Sequence, residues 1–203
     1  MPNKCLKLTR RALFAAPMMG LVCGSVAQSA PLNNPIPSAL RQRALAAMVR
    51  HQAQVKNTDL MGIVDFSRAS ATPRFHLLDL NSGQVQTLLV AHGRGSDPDH
   101  SGWLKRFSNT EGSYASSPGA YVTDDIYTGK HGRSLRLTGL DPTNNNAKPR
   151  AIVVHAAWYV SPSMVRDTGK LGRSEGCFAV AQTDLEQVLT RLGRGRMIYA
   201  DKV

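Results

Sequence analysis

From residue 61 to residue 200 the chain consists largely of short apolar runs, and this pattern restricts the fold more than any other feature. "MGIVDFS", "RFHLLDL", "QVQTLLVAHG", "GAYVTDDIY", "SLRLTGL", "RAIVVHAA" and "RMIYA" follow one another, separated by clusters of Gly, Asn and Pro. Runs of this length, rich in β-branched and aromatic residues, read as strands. "NSG" at 81–83 reads as a hairpin turn. Helical spacing occurs only at the flanks. Ser38 is placed to cap a helix over 39–55, with Leu40, Ala44, Leu45 and Met48 on one face. Thr183 and Glu186 form a capping-box pattern ahead of a short helix near 184–192. The expectation is a mainly β domain with peripheral helices, one of them N-terminal. The chain has no internal repeat and no low-complexity tract.

The first 30 residues follow a different rule. Lys4, Lys7, Arg10 and Arg11 precede the apolar run "ALFAAPMMGLVCGSVA", with no acidic residue among them. A membrane span needs about 20 apolar residues. This run is shorter and interrupted by Pro and Gly, and it ends in small residues as a signal-peptide core does. Cleavage after Ala27 or after Ser29 satisfies the small-residue rule. The pair in "TRRALF" resembles a twin-arginine signal as much as an ordinary basic start. The expected organisation is a signal peptide over 1–29, a linker and N-terminal helix over 30–57, and one folded domain over 58–203. The protein is expected to be exported to the periplasm or cell envelope, with no integral span after leader removal.

Export bears on the cysteines. Cys5 and Cys23 lie in the leader, so the mature chain keeps Cys177 alone and has no internal disulfide. A lone thiol in an oxidising compartment is a small buried core residue, half of an intermolecular disulfide, or a reactive group. Gly172 and Gly176 flank Cys177 in "GRSEGCFAV", which reads as a tight turn with little apolar packing and backbone N–H groups directed at the sulfur. That favours reactivity. Without the leader, 21 Lys and Arg face 14 Asp and Glu, a charge of about +7. No aromatic-interleaved basic stretch accompanies it, so carboxylate-rich or phosphorylated envelope polymers are nearer partners than nucleic acid.

A nucleophilic thiol needs a base, and six histidines are available. His51 lies on the N-terminal helix and His76 within a strand, both in structural settings. His92 and His100 bracket "HGRGSDPDH", where Asp97 and Asp99 offer cation ligands without distinctive spacing, so a polar loop is the plainer reading. His131 sits between glycines in "GKHGRS", a reserve candidate for the site. His155 ends the run Ile152-Val153-Val154, where a strand end makes a rigid mount for an imidazole.

"IVVHAAWYVS" followed by "GRSEGC" resembles the signature of the YkuD-type murein L,D-transpeptidases, with a strand-end histidine, a glycine-rich stretch and then Ser-x-Gly-Cys. "AHGRGS", "RFSNTEGSYASSPGAY", "YTGKHGRSLRLTGL" and "NNNAKPRAIVVH" resemble one branch of that family, so the likeness covers roughly residues 60–200. The resemblance implies an L,D-transpeptidase-like β-sandwich or barrel. It implies Cys177 as nucleophile, His155 as base, backbone N–H groups of Gly176 and Cys177 for the oxyanion, and a bracing or orienting Ser174. Arg173 or His131 would contact substrate. No metal or organic cofactor is implied. The implied donor is a peptidoglycan tetrapeptide stem; the acceptor is a second stem, a lipoprotein lysine or water. Four positions depart from the family pattern. Glu175 stands where His is common and Ala179 where Arg is common. Ala156 replaces an expected Gly and Phe178 an expected Pro, changes able to reshape the acyl pocket or to reduce activity, which leaves another thiol peptidase or a catalytically weak murein-binding protein as the alternative readings.

Overall fold

The structure, a computed structural model, describes residues 1–2 and 35–203. Most of the expected leader and its cleavage sites therefore lie outside the described residues. Among the described residues nine strands form one sheet: β1 (Leu60–Asp65), β2 (Phe75–Asp79), β3 (Val85–Leu88), β4 (Val90–Ala91), β5 (Gly119–Gly129), β6 (Gly132–Gly139), β7 (Val153–Ala156), β8 (Phe178–Val180) and β9 (Met197–Asp201). Their order is β3-β2-β1-β9-β5-β6-β7-β8-β4. β1–β9 and β7–β8 pair in parallel, the other neighbours antiparallel.

The two edges of this order settle its shape. β3 and β4 are terminal strands at opposite ends of the sheet, yet only Leu89 separates them in the chain. One residue spans at most about 3.6 Å, so the sheet must curl until its edges nearly meet. This is the sandwich-to-barrel closure expected of the fold. It also breaks the single strand expected over 84–93 into two.

Side-chain alternation then divides the core. Leu60, Val64, Leu77, Leu135, Val154, Phe178, Val180 and Ile198 point into one interior cluster, closed by Val188, Leu189 and Leu192 of a helix, α3 (Leu185–Leu192). Met61, Ile63, Leu78, Ala120, Met197 and Tyr199 face the other way, onto Leu40, Ala44, Ala47 and Met48 of α1 (Ser38–Arg50). A third, smaller cluster of Ala91, Ala157, Val160, Leu171, Ala179 and Ala181 covers the outside of β8 and β4.

Helix ends depart from the sequence expectations. α1 starts at Ser38 itself, because Pro37 already takes the extended conformation before the first turn, and no side chain caps it. It stops at Arg50, not 55; His51 caps it, and Gln54 and Val55 turn back onto the His51 carbonyl. The Thr183–Glu186 box does not form. Asp184 precedes α3 and accepts from Gln187 at 3.0 Å, while Glu186 pairs with Arg133 on β6. α2 (Pro162–Thr168) was not anticipated, although its sequence carries the signals: Ser161 accepts from the Met164 N–H at 3.1 Å, Pro162 opens the helix and Gly169 closes it.

Candidate active site

Cys177 lies one position before β8, where Val154 pairs with Phe178 and His155 with Ala179. Alternation puts Phe178 in the interior and Cys177, with His155 and Ala179, on the outer face. Phe178 packs between Phe66 (6.2 Å, stacked) and Tyr121 (5.3 Å, edge-on). The substitution expected to reshape the pocket is thus a core residue turned away from it.

Cys177 contributes to a cavity of about 480 Å³ whose wall also carries Tyr127, Lys130, His131, Arg150 and Tyr159. Arg173, Ser174 and Glu175 line it too. Sequence reasoning did not single out Tyr127, Lys130, Arg150 or Tyr159 as site residues, because the β5–β6 hairpin and the segments on either side of β7 that carry them meet only in the fold.

The cysteine turn is built from the "HGRGS" loop beneath it. The Ser174 N–H donates to the His92 carbonyl at 2.9 Å, and the Arg94 N–H to the Ser174 carbonyl at 2.8 Å. Gly93 allows this approach: a Cβ there would run into the Tyr114 carbonyl oxygen and lie 2.7 Å from the Gly176 nitrogen. Gly176 itself holds φ +114, a conformation that L side chains rarely adopt. Beneath the loop, the Arg74 guanidinium donates to His92 Nδ1 at 2.8 Å. Arginine only donates, so His92 is neutral with its proton on Nε2, facing Asp97 at 3.4 Å. Among the described residues no group of three or more His, Cys, Asp or Glu side chains is placed to hold a metal ion. The "HGRGSDPDH" segment is structural support.

Ser174 braces the turn. Its hydroxyl donates to the Cys177 carbonyl at 2.7 Å and accepts from the Gly176 N–H at 3.2 Å. That second bond commits one of the two N–H groups expected to hold an oxyanion. Arg173 donates to the carbonyls of Asp97 and Pro98, and so ties the turn to that loop while lining the cavity.

The hairpin of β5 and β6 turns through Lys130 and His131, since Gly129 pairs with Gly132. β6 neighbours β7 through Ser134 and His155, and the His131 ring stacks on His155 at 4.3 Å between centroids. His155 is 2% exposed, and its Nδ1 lies 2.8 Å from the Ala156 carbonyl. A carbonyl only accepts, so Nδ1 carries the hydrogen and Nε2 keeps the lone pair. Ala156, in place of the expected glycine, serves through its backbone.

Among the described residues no hydrogen bond joins Cys177 to His155; the sulfur instead lies 3.5 Å from the Ala151 carbonyl, a contact in which the thiol is donor. Burial pushes the Cys177 thiol up, opposed by the Val153 N–H and by the charges of Arg150 and Lys130, and aided by Glu175. Burial, with His131 alongside, holds His155 below the ordinary imidazole range. Both displacements favour a neutral thiol–imidazole pair. The sequence expectation of little packing around the sulfur is corrected: Cys177 is 9% exposed, because the turn is sunk between Gly93, Ala115 and Ile152.

A family model for the L,D-transpeptidase catalytic domain matches residues 33–200. The chain belongs to that family. Solved structures with similar folds include an L,D-transpeptidase from Mycobacterium smegmatis, 13% identical, TM-score 0.43, covering 70% of this chain and 58% of that one. L,D-transpeptidase 3 from Mycobacterium tuberculosis is 12% identical, TM-score 0.46, with 71% and 61% covered. The helical cell shape determining protein Pgp2 from Campylobacter jejuni is 12% identical, TM-score 0.44, with 72% and 49% covered. The chain therefore spans about half to three-fifths of these proteins. No curated protein sequence matches it.

Proposed function

We propose that this chain is an exported murein L,D-transpeptidase that acts on peptidoglycan tetrapeptide stems through a thioester on Cys177. The observation that carries this reading is the position of the lone mature thiol. It lines a cavity whose basic side chains, Lys130, Arg150 and Arg173, face a single carboxylate, Glu175, while a neutral histidine shares its sheet face. Such an electropositive recess suits an acyl donor that carries carboxylates. No helix of the described residues is long and apolar enough to cross a membrane. In this reading residues 1–29 are the leader, 30–57 the linker and packed helix, and 58–203 the catalytic domain.

The resting pair is neutral, so the proton moves at the moment of attack. His155 Nε2 takes the thiol proton as sulfur adds to the carbonyl between the third residue and the terminal D-alanine. Collapse of the adduct breaks the C–N bond, and the imidazolium returns its proton to the departing amine. An amine of a second stem then attacks the thioester and regenerates the thiol; a lipoprotein lysine or water are the other acceptors for this step. Negative charge on the oxygen is held by the Cys177 N–H. The Tyr159 hydroxyl, pushed up to about 12 by burial and then by the Cys177 and Glu175 charges, stays a donor on the same wall. His131 holds the His155 ring by stacking, and Arg173 presents a cation to a stem carboxylate.

The test is direct. Incubation of the mature protein with disaccharide tetrapeptide should release D-alanine and yield dimer, and a carbapenem should add covalently to Cys177. If wild type and Cys177→Ala give the same mass profile, the reading is wrong.

A further inference from the structure

Arg150 is a half-buried cation of this cavity whose acceptors are all neutral. Its guanidinium donates to the carbonyls of Ser108 (2.9 Å) and Ala115, and to the hydroxyls of Ser117 (3.3 Å) and Ser113 (3.4 Å). All four acceptors are neutral. They fix the position of the group without cancelling its charge. Among the described residues no carboxylate pairs with it, whereas Arg94 pairs with Glu175. Holding a half-buried cation without an anion costs stability, so a negative charge that visits the same space is favoured.

The local backbone indicates which charge that is. Arg150 and Cys177 line one cavity. A Cβ at Gly176 would come within 3.2 Å of Arg150 Nη2, so the guanidinium lies against the cysteine turn. The next residue, Ala151, holds φ +52, a strained position for alanine, and its carbonyl faces the sulfur. The Arg150–Ala151 segment thus offers an acceptor to the protonated sulfur and a cation to the ionised one.

We propose that Arg150 is a positioning residue whose unpaired charge stabilises the Cys177 thiolate and the negative charge that grows beside it during acyl transfer. The inference rests on the reading of Cys177 as nucleophile. The other titratable or charged groups around the sulfur and this guanidinium are Tyr121, Tyr127, Lys130, His131, Tyr159, Arg173 and Glu175, with His155 on the neighbouring strand. Among the described residues Lys130 and Arg173 also lack a carboxylate partner, but Lys130 is exposed on the hairpin tip and Arg173 reaches away to the Asp97 and Pro98 carbonyls, whereas the Arg150 guanidinium lies against Gly176.

Iodoacetamide labelling of the full chain, resolved at Cys177 by peptide mass and followed across pH, tests this without turnover. Arg150→Lys keeps the charge and should label within about threefold of wild type. Arg150→Gln keeps a donor for Ala115 and loses the charge. Ser113→Asp leaves the guanidinium in place and pairs it with a carboxylate. Both should label about tenfold more slowly at pH 7, with the midpoint of the rate–pH curve displaced upward. If loss of near-UV circular dichroism shows that the Gln variant has unfolded, Ser113→Asp alone decides. Wild-type rates and an unmoved midpoint in the folded neutralised variants would overturn the proposal. Its failure is distinct from that of the enzymatic reading, which the tetrapeptide assay on Cys177→Ala tests.

Discussion

At Gly93 one added carbon is enough to disturb the site, because its nearest neighbours are backbone atoms of Tyr114 and Gly176. Backbone cannot rotate aside as a side chain does. Gly93→Ala should therefore lower stability by about 1–3 kcal/mol and, by shifting the cysteine turn, cut turnover more than it changes substrate binding. Thermal melts and a kcat-against-KM comparison check this. His155→Gln should reduce turnover about 10²–10⁴-fold while Cys177 remains open to a carbapenem at a slower rate. The histidine also sets a pH limb. With its imidazole held below the ordinary range, the base stays neutral at mildly acidic pH, so kcat/KM should persist below the midpoint of free imidazole and fall only as pH drops further.

Among the elements, α2 and the segment around it matter most to the site. Val160 and Leu171, at either end of that segment, join Ala179 in covering the outside of β8, beside Cys177. The helix has no fully buried side chain, so its termini count for much of its stability. Removing the cap with Ser161→Ala should cost about 1 kcal/mol, seen as faster amide exchange across 162–168 before global unfolding. α1 is different. Its apolar stripe packs on β1, β2, β5 and β9, away from the cavity. Leu40→Ala should cost about 2–5 kcal/mol and leave the labelling of Cys177 unchanged below the melting temperature.

Across the whole molecule, buried histidines set the response to acid. Burial brings His76 and His92 each down to about 4; the Arg74 charge adds to the effect at His92. In the unfolded chain they bind protons near 6.5, so from there down to about 4 the unfolded state holds more protons than the native one. Stability is therefore whole above that window and falls as pH drops through it, by up to about 1.4 kcal/mol per pH unit for each histidine. Asp97 is brought to about 2, with burial outweighed by hydrogen bonds from Ser101, Gly102 and His92. Its contribution is lost only below the ordinary carboxylate range. Denaturant titrations at several pH values should show the histidine slope first; a flat profile between pH 6.5 and 4 would contradict it.

The sequence by itself determined the strand-rich class, the family and the two side chains on which the proposed chemistry depends. Short apolar runs between turn clusters, a histidine at a strand end and a cysteine in a glycine turn are local features, readable in one dimension. Helix ends were less legible, because Pro37 and Asp184 shift the caps by one residue each. Only the tertiary structure decided that Phe178 faces the core, that Cys177 is buried, and that Lys130, Arg150 and Tyr159 meet around it. Facing, burial and charge around a sulfur depend on which segments distant in sequence become neighbours, and in this sheet the adjacency of β5, β6, β7 and β8 brings those segments into one cavity.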